Sequence, residues 1–272
     1  MVLLAIKTIK RYAKIYLLLN KYQAMHYFTY RAGLYMGLVV DFGHSLVVIV
    51  FYQVLYSNIQ EVAGWNYHEM IFLIGLNMLS SFVVLSSVVI LNLNMLPEQI
   101  KDGKIDLTLT KPLNSLFYIT LQRNYIVGYI SMLPGFYLMY YGFSNLGYTL
   151  SLLNLLSGIV IFCSGYIIAY SILVMFASMS FRFINATTLA RLGQRIILEF
   201  KMKPHQIFTG GLRILFMFIF PVIFMSSVPA EAIMQGVNVG YVLLSLALAA
   251  IFLFLTIKVW NFMIKEYTSA GG

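Results

Sequence analysis

Two side chains capable of acid–base chemistry lie inside an otherwise apolar run near the N-terminus. Asp41 and His44 are three residues apart, so a helix would place both on one face. A charged side chain in the centre of a bilayer costs roughly 2.5–3.5 kcal/mol on insertion scales, which makes an Asp there a candidate for function. The spacing predicts a polar patch on a path through the protein, or a proton-responsive pair. A hydrogen bond between subunits, or an Asp near enough to the surface to be solvated, is the alternative.

Motifs for nucleotide, cofactor or metal chemistry are absent from the sequence. No G-x-x-x-x-G-K-[ST] run occurs, so we expect the chain itself to bind no ATP through a phosphate-binding loop. His68 and Glu69 lack the second histidine of the H-E-x-x-H zinc motif. Cys163 is the single cysteine, which excludes a cysteine-based metal site. We therefore predict that this chain is not an enzyme and binds no cofactor or metal.

The composition is that of a membrane protein. Of the 272 residues, 61% are hydrophobic and 10% are charged, whereas a soluble domain is about 45–50% apolar. Runs that cross roughly 30 Å of hydrocarbon must be helical, because lipid cannot satisfy unpaired backbone groups. Pro134 predicts a kink in the third run, and Pro221 predicts an interruption of the fifth. We predict one all-α integral membrane domain, 1–272, with six transmembrane helices: 33–57, 67–93, 116–141, 150–179, 207–228 and 239–263.

The positive charges predict the orientation of these spans. All 18 Lys and Arg residues fall on one side of a six-span topology, and the other side keeps Glu61, Glu69 and Glu231. Because positively charged loops stay in the cytosol, we expect both termini and segment 97–112 to be cytosolic, in a multi-pass protein of the inner or plasma membrane. The net charge of +9 then reflects topology and anionic lipid, so no nucleic-acid partner is predicted.

Two amphipathic segments lie outside the predicted spans. In 3–22, basic residues recur every three or four positions opposite an apolar face, a pattern typical of a helix in the membrane interface. A cytosolic helix packed on a partner is the alternative. Residues 182–205 are rich in Lys and Arg and predict a cytosolic connector, with a surface helix over 187–200. Asn66 and Glu69 predict a capping box at the start of the second span.

The longest polar interval in the first half of the chain lies between the second and third spans. Segment 97–112 concentrates charge in a chain that has little, and we expect a compact knob at the membrane surface. Pro97 predicts the first position of a short helix, with Glu98 at its positive end, and Gly103 predicts a left-handed stop. The alternation that follows predicts an extended piece over 104–110. A solvated loop is the alternative interpretation.

One spacing within this segment resembles a known family. The sequence reads Ile100-x-x-Gly103-x-x-Asp106-x-x-Leu109-x-x-Pro112. With its surroundings it is similar to the permease subunits of type-2 ATP-binding-cassette (ABC) exporters, in a branch long labelled uncharacterised transport-system permease. In that family the loop after the second span is a coupling helix that docks into a groove on a separate ATPase subunit.

The resemblance implies a function and its partners. The chain would be the transmembrane permease subunit of an ATP-driven exporter, forming a path with a second permease subunit, identical or related. Separate ABC ATPase subunits would hold ATP and Mg²⁺. A secondary transporter or a non-transporting scaffold subunit is the alternative, although no inverted repeat favours the former. The residues that the resemblance assigns to ATPase coupling are Pro97, Glu98, Gln99, Ile100, Lys101, Asp102, Gly103, Lys104, Ile105, Asp106 and Leu107.

Overall fold

Helices account for nearly all of the regular structure. The computed structural model describes residues 2–81, 90–125, 127–183 and 186–268. Within these ranges no strand occurs, and only an isolated bridge joins Val62 to Trp65. The α-helices are α1 (Val2–Thr29), α2 (Arg31–Asn58), α3 (Tyr67–Ser81), α4 (Ile90–Lys101), α5 (Asp106–Leu109), α6 (Ser115–Leu121), α7 (Val127–Ser131), α8 (Leu133–Ser144), α9 (Leu152–Ser178), α10 (Ala186–Phe200), α11 (Gly210–Ile214), α12 (Ser227–Met234) and α13 (Val239–Met263). Tighter 3₁₀ turns lie at Met179–Phe181, His205–Ile207, Val222–Met225 and Ile264–Glu266, and a π-helical turn lies at Leu215–Ile219.

Among the residues that the structure describes, three helices are long and apolar enough to cross a bilayer. They are Arg31–Asn58, Leu152–Phe181 and Val239–Glu266, the last two counted with a terminal 3₁₀ turn. Helical structure is thus confirmed for the first, fourth and sixth predicted runs. None of the residues of α2 is buried, and its exposed surface is largely aliphatic and aromatic, which is typical of a helix that faces lipid.

The predicted second and third spans are each divided. The second comprises α3 and α4, and the residues between these helices, 82–89, lie outside the described residues. The third comprises α6, α7 and α8, with its break at 122–125. The kink predicted at Pro134 is confirmed: the helix is interrupted at Met132, between α7 and α8, and Pro134 follows in the first turn of α8.

A side chain from α4 stabilises the break in the third span. Nδ2 of Asn92 donates to the carbonyl oxygens of Thr120 and Arg123, both at 2.9 Å. Its Oδ1 accepts from the Arg123 N–H at 3.1 Å. Backbone groups that leave the helix therefore remain paired, as burial in lipid or protein requires.

The predicted fifth span, 207–228, is not one crossing helix. It forms a 3₁₀ turn, α11 and a π-helical turn, and then, after Pro221, another 3₁₀ turn and the start of α12. Proline cannot donate the backbone bond that would continue a helix. Beyond this break, the backbone of Phe224 packs on Gly165 and the side chain of Ile233 packs on Gly158. The chain after Pro221 therefore runs along α9 towards the N-terminal end of that helix.

The helix predicted over 187–200 is present as α10, and it lies alongside α9. Gly193 packs on the ring of Phe176, near the C-terminal end of α9. At the other end of α10, the carbonyl of Lys201 accepts a hydrogen bond from Ser226, which closely follows the segment packed on Gly165. Gly165 is midway between the ends of α9. The two helices thus form an antiparallel hairpin, and α10 ends level with the middle of α9.

Candidate functional site

The end of α4 carries the first part of the predicted coupling segment. Pro97 lies inside α4, so the prediction that a short helix begins there, with Glu98 at its positive end, is wrong. The helix continues through Pro97 and ends at Lys101. Gly103 has φ +68°, which is the left-handed stop that the sequence predicts. Its N–H donates to the carbonyl of Ile100 at 3.1 Å, which satisfies one of the free carbonyls at the helix end.

The next residues form a helical turn, which contradicts the extended piece predicted over 104–110. The amides of Thr108 and Leu109 both donate to the carbonyl of Ile105, at 2.8 and 2.9 Å, and so close α5. The described residues offer no strand to pair with, so these backbone groups are satisfied locally. Ile105 is fully buried and Leu107 is 73% exposed, and the two therefore do not share one side as the alternation predicts.

An ion pair stands at the turn between α4 and α5. Nζ of Lys104 lies 2.7 Å from Oδ2 of Asp102. The hydrogen bond from Lys104 lowers the pKa of the Asp102 carboxyl, and the same bond raises the pKa of Lys104. Both groups are open to solvent, where such a pair contributes little stability. We therefore attribute the shape of the turn to Gly103 and to buried Ile105.

The N-terminal helix supports the far side of the turn. The Arg11 guanidinium donates to the carbonyl of Pro112 at 3.1 Å, and the Tyr12 hydroxyl accepts from the N–H of Asn114 at 3.0 Å. The Tyr12 ring also meets the Phe117 ring edge-on, with centroids 4.6 Å apart. α1 therefore contains the predicted segment 3–22 and holds the start of α6.

A groove of about 500 Å³ borders the other side of the turn. Pro97 and Lys101 form one wall, Phe181 and Arg182 form the second, and Tyr267 closes the end. The groove places the end of α4 beside the turn that joins α9 to α10.

Asp41 and His44 are not brought together as a functional pair. Asp41 Oδ2 accepts from the hydroxyls of Ser131 at 2.6 Å and Tyr125 at 3.2 Å, and so ties α2 to α7 and the chain before it. His44 is exposed. Its side chain has no hydrogen bond, ion pair or ring contact among the residues that the structure describes. The contacts of Asp41 are those of a structural hydrogen-bond acceptor.

The capping box predicted at the start of the second span is confirmed. The N–H of Asn66 donates to Glu69 Oε2, and the N–H of Glu69 donates to Asn66 Oδ1, both at 3.0 Å. Glu69 also accepts from the Tyr148 hydroxyl at 3.1 Å and from Gln235 Nε2 at 3.2 Å. Burial and the bond to Glu69 raise the pKa of Tyr148. Glu69 therefore joins three segments at one end of the bundle, which is a structural role.

A polar face on α4 and its neighbours is absent from the predictions made above. α4 exposes Asn94 and Glu98, one helical turn apart. On one side, Gln194 of α10 donates to the side-chain oxygen of Asn94. On the other side, the guanidinium of Arg123 lies 2.7 Å from Sδ of Met95. We call the surface formed by α4, α10 and Arg123 the polar face.

α10 has two chemically different sides. Gln194 and Ile197 are buried, while Arg191, Arg195 and Glu199 are exposed and recur every four residues. In the described part of the chain, none of these three charged side chains forms an ion pair or hydrogen bond. The recurrence is visible in the sequence, but it is equally typical of a solvated surface helix. Only the packing of α10 on α9 shows that the charges lie beside a spanning helix.

The fold and these surfaces define a helical membrane protein in which Gly103 turns the chain between α4 and α5. A family model described as ABC-2 family transporter protein matches residues 42–271. The chain belongs to this family, which confirms the resemblance found at 97–112. Membership implies a transmembrane permease component, normally without catalytic activity of its own, that associates with an ABC ATPase. No curated protein and no solved structure matches the chain significantly.

Proposed function

We propose that the chain is the permease subunit of an ATP-driven exporter in the inner or plasma membrane. ABC ATPase subunits, which hold ATP and Mg²⁺, bind segment 97–107. The observation that carries the proposal is the shape of this segment. Left-handed Gly103 turns the chain directly after α4, and Leu107 is left 73% exposed. An apolar side chain on a turn set by backbone geometry is a suitable anchor for a protein partner.

α4 is suited to transmit a movement of that turn. It is continuous from Ile90 to Lys101, so a push on the coupling segment displaces a rigid element. Asn94 links α4 to α10 through Gln194, and Asn92 links it to the break in the third span. A tilt of α4 would therefore be shared by α10 and α6. We infer that this is how ATP-driven closure of the ATPases reaches the path.

The topology that we propose has six crossings with both termini in the cytosol, but α10 provides the fifth crossing. The antiparallel packing of α9 and α10 supports this revision. The segment between α10 and α13, 201–238, then starts on the side of the membrane opposite the cytosol, dips into the membrane along α9, and returns to that same side. Lys201, Lys203 and Arg213 consequently leave the cytosolic side, which is a departure from the charge bias of the remaining loops.

The polar face is the wall of the proposed path. α2 exposes apolar side chains along its length, as does α13 on its outer surface, and both surfaces suit lipid. The polar face instead exposes charged side chains beside a spanning helix, where contact with hydrocarbon is unfavourable. We infer that this face meets water and a second permease subunit, identical or related. Such an arrangement places the path between two subunits.

Association with the ATPase tests the proposal. We expect Asp106→Lys to reduce co-purification of the ABC ATPase and the ATP turnover of the complex, because a positive charge replaces a carboxylate on the docking turn. Glu61→Lys, the same change on the opposite side, should leave both at the wild-type level. Equal ATPase recovery and turnover with Asp106→Lys and with Glu61→Lys would show that the segment is only a connector.

A further inference from the structure

The polar face carries an excess of positive charge where the proposed path opens to the cytosol. Gly193 is level with Phe176, near the end of α9, so Arg191 and Arg195 lie just above and just below that level. Arg123 lies on the other side of α4. Glu199 is one turn deeper than Arg195. The cytosolic end of the proposed path therefore holds exposed guanidinium groups, and the carboxylate of Glu199 lies further from the cytosol.

These guanidinium groups have no counter-charge among the described residues. Arg191 and Arg195 are four residues apart on one helix, so their side chains can converge on one group. A guanidinium presents a planar fork of donors that matches the oxygens of phosphate or carboxylate in pairs. Two such forks, one turn apart, suit a phosphate with several free oxygens better than they suit a neutral or cationic group.

Apolar side chains flank the arginines on the same helix. Leu192 is 47% exposed and Leu198 is 37% exposed. Leu192 lies between the two arginines in sequence and Leu198 follows them. The four side chains therefore form one exposed stripe on α10 that has both guanidinium groups and aliphatic surface. A ligand that covers this stripe needs both an anionic group and a hydrocarbon part.

A second copy of the chain does not by itself neutralise this face. In a two-fold pair the same surfaces oppose each other, so arginines would face arginines. If Arg195 of each copy formed an ion pair with Glu199 of the other copy, Arg191 of each copy would still lack a partner. An anion bound between the copies would compensate the remaining charge.

We propose that the path loads a phosphate-bearing amphiphile from its cytosolic end. Arg191 and Arg195 bind the phosphate, Arg123 adds positive charge from across α4, and the hydrocarbon chain lies on Leu192 and Leu198. The assignment rests on the proposed permease function, because it places a substrate in the path inferred there. It goes beyond that function in naming the chemical class of the substrate and the residues that bind it.

Binding to the full-length chain in nanodiscs of neutral phosphatidylcholine tests this without an ATPase. The probe is fluorescent lysophosphatidate, and the reference is a monoacylglycerol with the same acyl chain. We expect saturable binding of the phosphate probe, at least about tenfold tighter than the reference, since charge-assisted hydrogen bonds to arginine distinguish the two. Equal binding of both probes would overturn the proposal.

Matched variants separate the site from bulk charge. Arg191→Gln with Arg195→Gln should weaken phosphate-probe binding about tenfold or more. Lys258→Gln with Lys265→Gln removes the same charge from exposed positions of the C-terminal helical segment and should leave the affinity unchanged. Glu199→Gln should tighten binding a few-fold, because it removes a repulsive charge. Wild-type affinity in the arginine variant, or an equal loss in the lysine variant, would refute the site.

Competition identifies the source of the amphiphile. Displacement of the probe by phosphatidic acid in the nanodisc supports a bilayer phospholipid as the substrate. Displacement only by unlabelled lysophosphatidate supports a phosphate-bearing amphiphile that enters from water. If the proposed permease function is wrong but the binding site is right, the chain will bind the phosphate probe and will not associate with an ABC ATPase. Failure of the present assignment would appear as ATP-dependent export of a neutral amphiphile, unaffected by the arginine variant.

Discussion

Truncation of Leu107 measures how much the exposed turn contributes to ATPase binding. Its side chain is 73% exposed, and full burial of a leucine stabilises a complex by about 1.5–3 kcal/mol. Leu107→Ala keeps part of that apolar surface, so we expect a loss of about 1–2 kcal/mol. This corresponds to about a 5- to 30-fold increase in the Kd of the ATPase.

The assay is titration of the purified ATPase onto the permease held in nanodiscs, with Kd measured at fixed salt. Leu153→Ala is the matched control, since Leu153 is 66% exposed at the start of α9, on the side predicted to face away from the cytosol. The control should bind the ATPase as the wild type does. A Kd for Leu107→Ala within twofold of wild type would show that Leu107 is not buried by the partner, and would refute the docking geometry.

Three further predictions address the fold, the topology and the absence of catalysis. Gly165→Ala should lower the free energy of unfolding by about 1–3 kcal/mol in detergent, because the new methyl collides with the carbonyl of Phe224; Gly33→Ala, which meets open space, should not. In sealed, oriented cells, a cysteine at Lys104 should be labelled only from the cytosol and one at Glu61 only from outside; the reverse pattern would overturn the topology. The purified chain without its ATPase should hydrolyse no ATP, since its sequence has no phosphate-binding loop; turnover that survives removal of contaminating ATPases would contradict this.

The long apolar helices could be predicted from sequence because lipid leaves few alternatives. α2, α9 and α13 contain runs for which helix is the only satisfied backbone conformation. The capping box and the left-handed glycine were equally accessible, because each depends on residues within a few positions of one another. These are the features that local physics determines.

The features that the sequence did not predict depend on distant contacts. α5 was ambiguous because Ile105 and Leu109 fit both an alternating strand and a helical turn, and only the absence of a pairing strand among the described residues favours the turn. The break in the third span depends on Asn92. This residue precedes the break by about 30 positions and has no local signature.

α10 was assigned to the surface for a related reason. Arg191 and Arg195 opposite buried Ile197 give the pattern of a helix at a water boundary. A water-filled path inside a membrane protein gives the same pattern, since one side of the helix meets protein and the other meets water. Our proposal of the second arrangement rests on the packing of Gly193 against Phe176 of α9, and no local sequence pattern encodes that contact.

ATP turnover of the assembled complex with Gly103→Val tests the coupling role of segment 97–107 most directly. Gly103 has φ +68°, and Gly64, on the side predicted to face away from the cytosol, has φ +81°, so valine introduces comparable backbone strain at either site. We predict that Gly103→Val inserts normally but loses ATPase association or transport-linked turnover, because the docking turn is misdirected. Gly64→Val should retain both. Wild-type turnover and transport by Gly103→Val would contradict the assignment of this segment as the coupling element.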